Sequence, residues 1–416
     1  MRDRDLYATI LGLRDPWRVV DVELDAKSEQ VRVHVAGKSG TRFTCPECGE
    51  RCPTHDHRRR EWRHLDTCQF HTILVADVPR VKCEQHGVRQ ITVPWAEPGS
   101  GFTALFEAIV IDWLREASIL AVARRMSLTW DEVAGVQERA VKRGLARRKL
   151  GVIEFLGVDE TSFRRRHDYV TVVTDFITGH VIDTTDDRKR ESLDAVYSKL
   201  APEQLAAIQA VAMDMHKPYI ASTRTHVPDA ERKICFDRFH VSKHIGDALD
   251  QVRRQEHREL RALGNPVLTG TKHLWLQRHQ HLDDTQRGVL DILKRSKLRT
   301  ARAWAMKEFA TTLWRYVHPG WARKAWARLI SWLRRSRLEP MKRVGRMIHT
   351  HLWGIVNAVT QGVTNAGSES VNARIQRVKK MACGFRNKAR FRNAILFHLG
   401  GLDLYPVAAS ATHTKA

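Results

Sequence analysis

Asp159 closes the apolar run Phe155-Leu156-Gly157-Val158, and Asp214 closes Ala210-Val211-Ala212-Met213 in the same way. An acid at the end of a buried strand is costly unless it is paired or binds a cation. Two such strand ends in one βαβ context can converge on one edge of a sheet. Glu369, in Gly367-Ser368-Glu369-Ser370-Val371-Asn372, falls in the first turn of a helix. Three carboxylates can hold two divalent metals about 3.5–4 Å apart and clamp an in-line phosphoryl displacement. Magnesium prefers oxygen ligands of this kind, and manganese is the alternative. Taken alone, each acid is better read as a strand-end salt bridge or a helix N-terminal acid favoured by the macrodipole; the set carries the argument. Glu160 follows Asp159 directly, and successive strand side chains point to opposite faces, so Asp159 is the one expected in the site. Asp237, in Phe236-Asp237-Arg238-Phe239-His240, ranks behind the three as a supporting group, with His240 and Asn372 beside it.

A second chemistry is concentrated near the N-terminus. Cys45-Pro46-Glu47-Cys48 and Cys83-Glu84-Gln85-His86 are two knuckles of equal spacing. Two residues between ligands let one tight turn aim both at a single ion, and two such turns make a tetrahedral Cys3His set suited to structural zinc. Cys52, Cys68, His55 and His57 are substitutes; His55 and His57 beside Arg58-Arg59-Arg60 read better as solvated surface. Five of the seven cysteines lie between Cys45 and Cys83, which points to metal binding in a reducing compartment rather than a disulfide framework.

The elements that must position these groups fall into zones. Residues 1–98 are short-stranded, with strands expected over 17–24, 30–35 and 70–78, and Glu97-Pro98-Gly99-Ser100-Gly101 closes the zone. Residues 102–148 read as three helices, the last over 130–143 and capped by Thr129. A helix, a short turn and a second helix can seat the second helix in a DNA major groove, with Arg124, Arg125, Lys142 and Arg143 meeting phosphates. From about 150 to 240 the pattern is β, β, β, α, β, α, β, with strands over 153–159, 169–175, 180–185, 210–214 and 233–236. Residues 241–350 read as all-helical and basic, and 7 of the 12 tryptophans fall between Trp275 and Trp353. Most of these read as bundle core; one or two could stack on an unpaired base. A short return, 351–402, carries a helix over 368–381, where Arg374, Arg377, Lys379 and Lys380 are placed for DNA backbone contacts.

The chain has 416 residues, 70 Lys plus Arg against 47 Asp plus Glu, and a formal net charge of +23. A protein that basic usually meets a polyanion, and nucleic acid leads over a membrane surface. No apolar run approaches the length of a membrane span, and Met1-Arg2-Asp3-Arg4-Asp5 lacks the apolar core of a secretory signal.

Val158-Asp159-Glu160, Met213-Asp214-Met215 with Tyr219, Asp237-Arg238-Phe239-His240-Val241, and Ser368-Glu369-Ser370-Val371-Asn372 with Cys383-Gly384-Phe385-Arg386-Asn387 together resemble the ISL3 type of bacterial insertion-sequence transposases, over about residues 45–399. The resemblance implies a multidomain α+β chain. Its parts are a zinc-binding module (1–98), a helix-turn-helix (102–148) and an RNase H-like α/β catalytic domain (150–240 and 351–402) interrupted by an all-helical insertion (241–350). It places the family's three acids on Asp159, Asp214 and Glu369, with Mg2+ or Mn2+ at the catalytic site and structural Zn2+ at the finger. In the family the second knuckle is commonly all-cysteine; here His86 stands in it. The expected partners are double-stranded transposon ends and target DNA, bound by a dimer or larger assembly in the cytoplasm, at the nucleoid. The competing expectations are a DNA-binding regulator that does not cut, and a structure-specific nuclease of the same fold that cuts without joining.

Overall fold

The computed structural model describes residues 3–164, 168–277, 279–362 and 366–407. It divides into two units: the described residues through Arg148 with those from Leu402, and Lys149–Gly401.

The first unit begins with α1 (Asp3–Ile10), β1 (Trp17–Asp25), β2 (Gln30–Gly37), the two-residue strands β3 (Phe43–Thr44) and β4 (Arg51–Cys52), then β5 (Thr54–Arg63), β6 (His71–Cys83) and β7 (Gly87–Gln90). The sheet runs β1-β2-β6-β5, with β7 also on β6 and β3 pairing β4 separately. β2 and β6 are parallel; the other pairs are antiparallel. Along β2, Val31, Val33 and Val35 are buried and alternate with more accessible residues, as a sheet with one covered face requires. Trp17, Trp62 and Trp95 pack edge-on at 4.8 and 5.5 Å between ring centroids. β5 escapes the sequence reading because Trp62 is the one residue of that strand to be buried. Its polar run hides the period of two, and pairing with β6 makes it a strand.

Three helices follow: α2 (Ala104–Glu116), α3 (Ile119–Arg125) and α4 (Trp130–Arg147). Thr103, Ser118 and Thr129 cap them through their side chains, and Thr129 forms a reciprocal capping box with Glu132. Val110, Ile111, Leu114, Val122, Ala123, Val133, Val136 and Ala140 close their core.

The second unit is built on β8 (Phe155–Arg164), β9 (Asp168–Asp175), β10 (Val181–Asp186), β11 (Ala210–Met213) and β12 (Ile234–Phe236), in the order β10-β9-β8-β11-β12. The first three strands form an antiparallel meander, and β11 and β12 add in parallel to β8. The connections carry α5 (Arg190–Tyr197), α6 (Pro202–Ala207), α7 (Lys217–His226) and α8 (Ala230–Lys233); the sequence pattern anticipates α5 and α7 but not the short α6 and α8. After β12 come α9 (Arg238–Ala262), α10 (Lys272–Leu276), α11 (Asp284–Lys294), α12 (Arg299–Leu313), α13 (Pro319–Arg335) and α14 (Glu339–Thr350). Trp275 and Trp326 are fully buried among them, and one continuous apolar core joins these helices to the sheet. α15 (Leu352–Gln361) packs on β12, where a Cβ on Gly354 would come within 2.5 Å of the Phe236 ring. α16 (Ala366–Met381) then lies on β8 and α17 (Lys388–Leu399) on β10.

Candidate functional site

The register of the parallel strands sets the acidic site. Met213 is paired with Val158 on one side and Phe236 on the other. The next residue on each chain is an acid, so Asp159, Asp214 and Asp237 stand side by side at one edge of the sheet. β8 does not end at Asp159, as its apolar run suggests. Its parallel partner stops at Met213, but its antiparallel partner β9 carries the strand on to Arg164. The acid therefore marks the end of the parallel pairing rather than of the strand.

Strand alternation sends Asp159 and Glu160 apart. The Asp159 carboxylate accepts a 2.6 Å hydrogen bond from Asn372 Nδ2 on α16, while Glu160 pairs with Arg188 at 3.1 Å. His240, in the first turn of α9, stands between two acids, with Nδ1 3.6 Å from Asp214 Oδ2 and Nε2 3.4 Å from Asp237 Oδ2. Burial raises the Asp159 carboxyl above the usual carboxylate range, and the negative charge of Asp214 adds to this. The Glu160 N–H, His240 and Asn372 act in the opposite sense. Burial likewise pushes Asp237 up to about 6, against the Phe239 N–H that its Oδ1 accepts at 2.8 Å. Asp237, ranked behind the other acids from sequence, is thus level with them and more deeply buried than Asp214.

Glu369 is exposed, in the first turn of α16. It lies one turn before Asn372, hence on the same helical face. Two further bonds continue along that face: Gln376 Nε2 to Thr161 Oγ1 at 3.3 Å and Lys379 Nζ to the Ser162 carbonyl at 2.8 Å. Among the described residues, the one group of three or more His, Cys and acidic side chains placed to hold a metal ion is the Cys/His set, so Asp159, Asp214 and Glu369 are not gathered into such a group. Like charges repel, and Asn372 already takes the side of Asp159 that faces α16.

That second set is complete. Cys45, Cys48, Cys83 and His86 come together with Cys48 Sγ 3.7 Å from Cys83 Sγ, and His86 Nδ1 3.5 Å from Cys83 Sγ and 3.9 Å from Cys45 Sγ. A tetrahedron with zinc–sulfur bonds of 2.3 Å has edges of about 3.8 Å, so the residues fit the ion. Each knuckle is followed by a glycine in the left-handed region, Gly49 at φ 75° and Gly87 at φ 68°, a conformation that turns the chain tightly at little steric cost. Glu47 was not singled out from sequence; its Oε2 lies 3.6 Å from His86 Nε2, the ring nitrogen on the side away from the cysteines, while its Oε1 accepts from Arg89 Nε at 2.5 Å. An acid inside the first knuckle was the available signal. Cys52 is buried outside the set, Cys68 is exposed, and His55 and His57 are exposed on β5.

The basic residues expected to meet DNA divide. Arg124, Arg125 and Lys142 are exposed, and Arg125 lies 4.8 Å over the Trp113 ring. Arg143 is not available: it is buried, paired with Glu97 and Glu107, and donates to the Leu404 carbonyl. Glu107 is 1% exposed, and a buried carboxylate needs such a cation, so the inward face of α4 takes the guanidinium. On α16, Arg377 and Lys380 are exposed, while Arg374 and Lys379 each donate to a backbone carbonyl. Tyr219 is a core residue, its hydroxyl 2.7 Å from Thr171 Oγ1.

Comparison with known proteins decides what this assembly is. A family model described as transposase, of the ISL3 type, matches residues 156–395, more than half of the chain. The chain belongs to the ISL3 family of transposases. A zinc-finger model of transposases of the IS204/IS1001/IS1096/IS1165 group matches residues 41–86, and the helix-turn-helix model of the ISL3 transposases matches 91–141. Among its relatives is the transposase for insertion sequence element IS1001 of Bordetella parapertussis, 27% identical over 352 residues that cover 83% of this chain and 86% of the relative. Another is the transposase for insertion sequence element IS1557 of Mycobacterium tuberculosis, 28% identical over 420 residues, with 93% of both chains covered. The protein is a DNA-binding transposase, an enzyme that cleaves and transfers DNA, and its finger carries the donor set of a structural zinc site. Among the described residues no helix is long and apolar enough to cross a membrane.

Proposed function

We propose that this transposase is a DDE enzyme with an RNase H-like core, interrupted between its second and third acids by the helices α9–α14. Asp159, Asp214 and Glu369 are its catalytic acids. The observation that carries the reading is the register that sets Asp159 beside Asp214 at the edge of three parallel strands, with α16 bonded to Asp159.

The donor chemistry fits Mg2+ or Mn2+, because oxygen ligands of which one is strained toward protonation by burial and by a neighbouring charge gain most from a hard cation. The chemistry such a cation supplies is activation of the attacking oxygen and neutralisation of the leaving one. The chain's own residues do the rest. Asn372 fixes the orientation of the Asp159 carboxylate, and His240 bridges Asp214 and Asp237. Glu369 sits one turn before Asn372 on the same face of α16 and would complete the metal site with the other two. Arg377 and Lys380, with the remaining donors of Arg374 and Lys379, face DNA phosphates. Arg124, Arg125 and Lys142 position the terminal repeats on the helix-turn-helix.

In this reading the enzyme binds the terminal repeats of its element, cuts at their ends by metal-dependent hydrolysis, and joins the freed 3′-hydroxyl to target DNA. Two ends must be held together, so it acts as a dimer or larger assembly, in the cytoplasm at the nucleoid. The test is cleavage and joining of a labelled transposon-end duplex with magnesium or manganese, wild type beside Asp214→Asn. Both activities should be present and fall together in the variant by about a thousandfold or more, since several kcal/mol of transition-state stabilisation are removed. Cutting without joining would replace the reading with a nuclease, and binding without cutting by the wild type on a DNA-assembled complex would replace it with a regulator.

A further inference from the structure

One face of α13 is built like a nucleic-acid surface and has no role in the cleavage and joining proposed for the acidic site. Trp321 is 63% exposed and Trp332 39% exposed. Three helical turns separate them, so they stand about 16 Å apart along the axis and about 20° apart around it. Lys324, Arg328 and Arg335 fall in the same sector, about 80° wide. The opposite face, with Ala322, Trp326, Leu329, Ile330 and Leu333, is buried in the helical core. No acid occurs between Pro319 and Arg335, and among the described residues the five cations of this helix make no ion pair. Lys324 Nζ lies 5.2 Å over the Trp321 ring, and Trp332 leans on Phe309 with centroids 6.2 Å apart. Beside them a groove of roughly 620 Å³ is lined by Ser331, Arg334, Arg335 and His349, among others.

A tryptophan offers 150–250 Å² of surface to bury, and one largely exposed with a second partly exposed on the same helix face calls for an occupant. The charge pattern says which. Cations alternating with flat aromatic rings match a chain of phosphates alternating with flat bases. Duplex DNA supplies the phosphates but keeps its bases stacked inside, where these rings would have nothing to cover. An anionic membrane prefers a broad apolar face, and here that face is already buried. We propose that the outer face of α13 binds single-stranded DNA, with bases stacked on Trp321 and Trp332 and phosphates met by Lys324, Arg328 and Arg335. An enzyme that opens DNA strands generates such unpaired nucleotides.

The test uses the full chain with zinc bound. Fluorescence anisotropy measures its affinity for labelled oligothymidylate, for an abasic oligomer of equal length and charge, for a duplex, and for vesicles of anionic lipid. The proteins compared are wild type, Trp321→Ala/Trp332→Ala and Trp321→Phe, each checked for unchanged melting. Loss of two stacking platforms should weaken oligothymidylate binding by about thirtyfold or more, leave abasic and duplex binding unchanged, and be largely spared in Trp321→Phe. Oligomers carrying 5-iodouracil should photocrosslink to the peptide that holds Trp321. Equal oligothymidylate affinity in wild type and the double variant would overturn the proposal. So would an equal loss on the abasic oligomer, crosslinks confined to other segments, or a tryptophan dependence seen on vesicles instead. None of these readouts involves cleavage, so failure here and failure of the catalytic reading remain separate results.

Discussion

The zinc knuckles and the acidic sheet edge are both clusters of ligand-bearing side chains, yet the fold treats them in opposite ways. At the knuckles four donors already stand at the mutual distances of a tetrahedron, on turns closed by Gly49 and Gly87. At the sheet edge, Asp159, Asp214 and Asp237 are set level by strand register, His240 is wedged between two of them, and Glu369 stands off on α16. A turn of two residues between ligands specifies each pair of donors locally, so only the meeting of two preformed pairs is left to the fold. A site assembled from three strands and a distant helix is specified only where backbone pairing reaches. The closed set leaves no position for a substrate, which suits a structural ion; the open one leaves room for chemistry.

The sharpest way to break this contrast is to remove the zinc. Structural zinc contributes about 10–16 kcal/mol to folding in finger peptides, so chelation, or Cys83→Ser, should abolish the cooperative melting of the zinc module. Scanning calorimetry with and without chelator checks this, and an unaltered melt would put the two sites on the same footing.

A smaller effect is expected at Arg143, which separates structural from DNA-facing cations in the same helix. Arg143→Ala leaves Glu97 and the buried Glu107 short of a partner, although Arg139 Nε still donates to Glu107 at 2.8 Å. It should cost about 3–5 kcal/mol in urea denaturation. Lys142→Ala should leave stability unchanged and reduce the salt dependence of DNA binding by about one unit of slope. The reverse outcome would restore Arg143 to the DNA surface.

Smaller still is the pH response of His64. It is buried, its Nδ1 2.8 Å from Thr103 Oγ1, and burial pulls its pKa down from 6.5 to about 4. The unfolded chain therefore binds a proton that the folded one refuses between these values, and stability falls as pH drops through that window. Between pH 7 and 5 the wild type should lose about 2 kcal/mol more than His64→Asn, read from urea midpoints at both pH values. Equal losses would remove His64 as the cause.

Much of this was legible from sequence, and unevenly so. The knuckles, the Thr129 cap and the apolar runs before Asp159 and Asp214 rest on short-range rules, and the structure has them where the spacing puts them. The extent of β8 was not legible, because it depends on β9 continuing after β11 has stopped. The fate of Arg143 depends on Glu107, 36 residues away in sequence, and no periodicity announces it. β5 was hidden by polar residues on both faces. His240 was visible as a residue but not as a bridge, since its two partners come from β11 and the end of β12. Tryptophan enrichment after residue 241 said bundle core, correctly for Trp275 and Trp326, but spacing alone could not separate them from the exposed Trp321.

The central claim is that Asp159, Asp214 and Glu369 form one divalent-metal site when the enzyme holds its DNA. Iron(II) substituted for magnesium in the complex with a transposon-end duplex, followed by ascorbate and peroxide, cuts the polypeptide next to bound metal and so tests the claim directly. Cuts near residues 159, 214 and 369, all lost in Asp214→Asn, are the expected result. Cuts near 159 and 214 without 369, or an Asp214→Asn pattern identical to wild type, would contradict it.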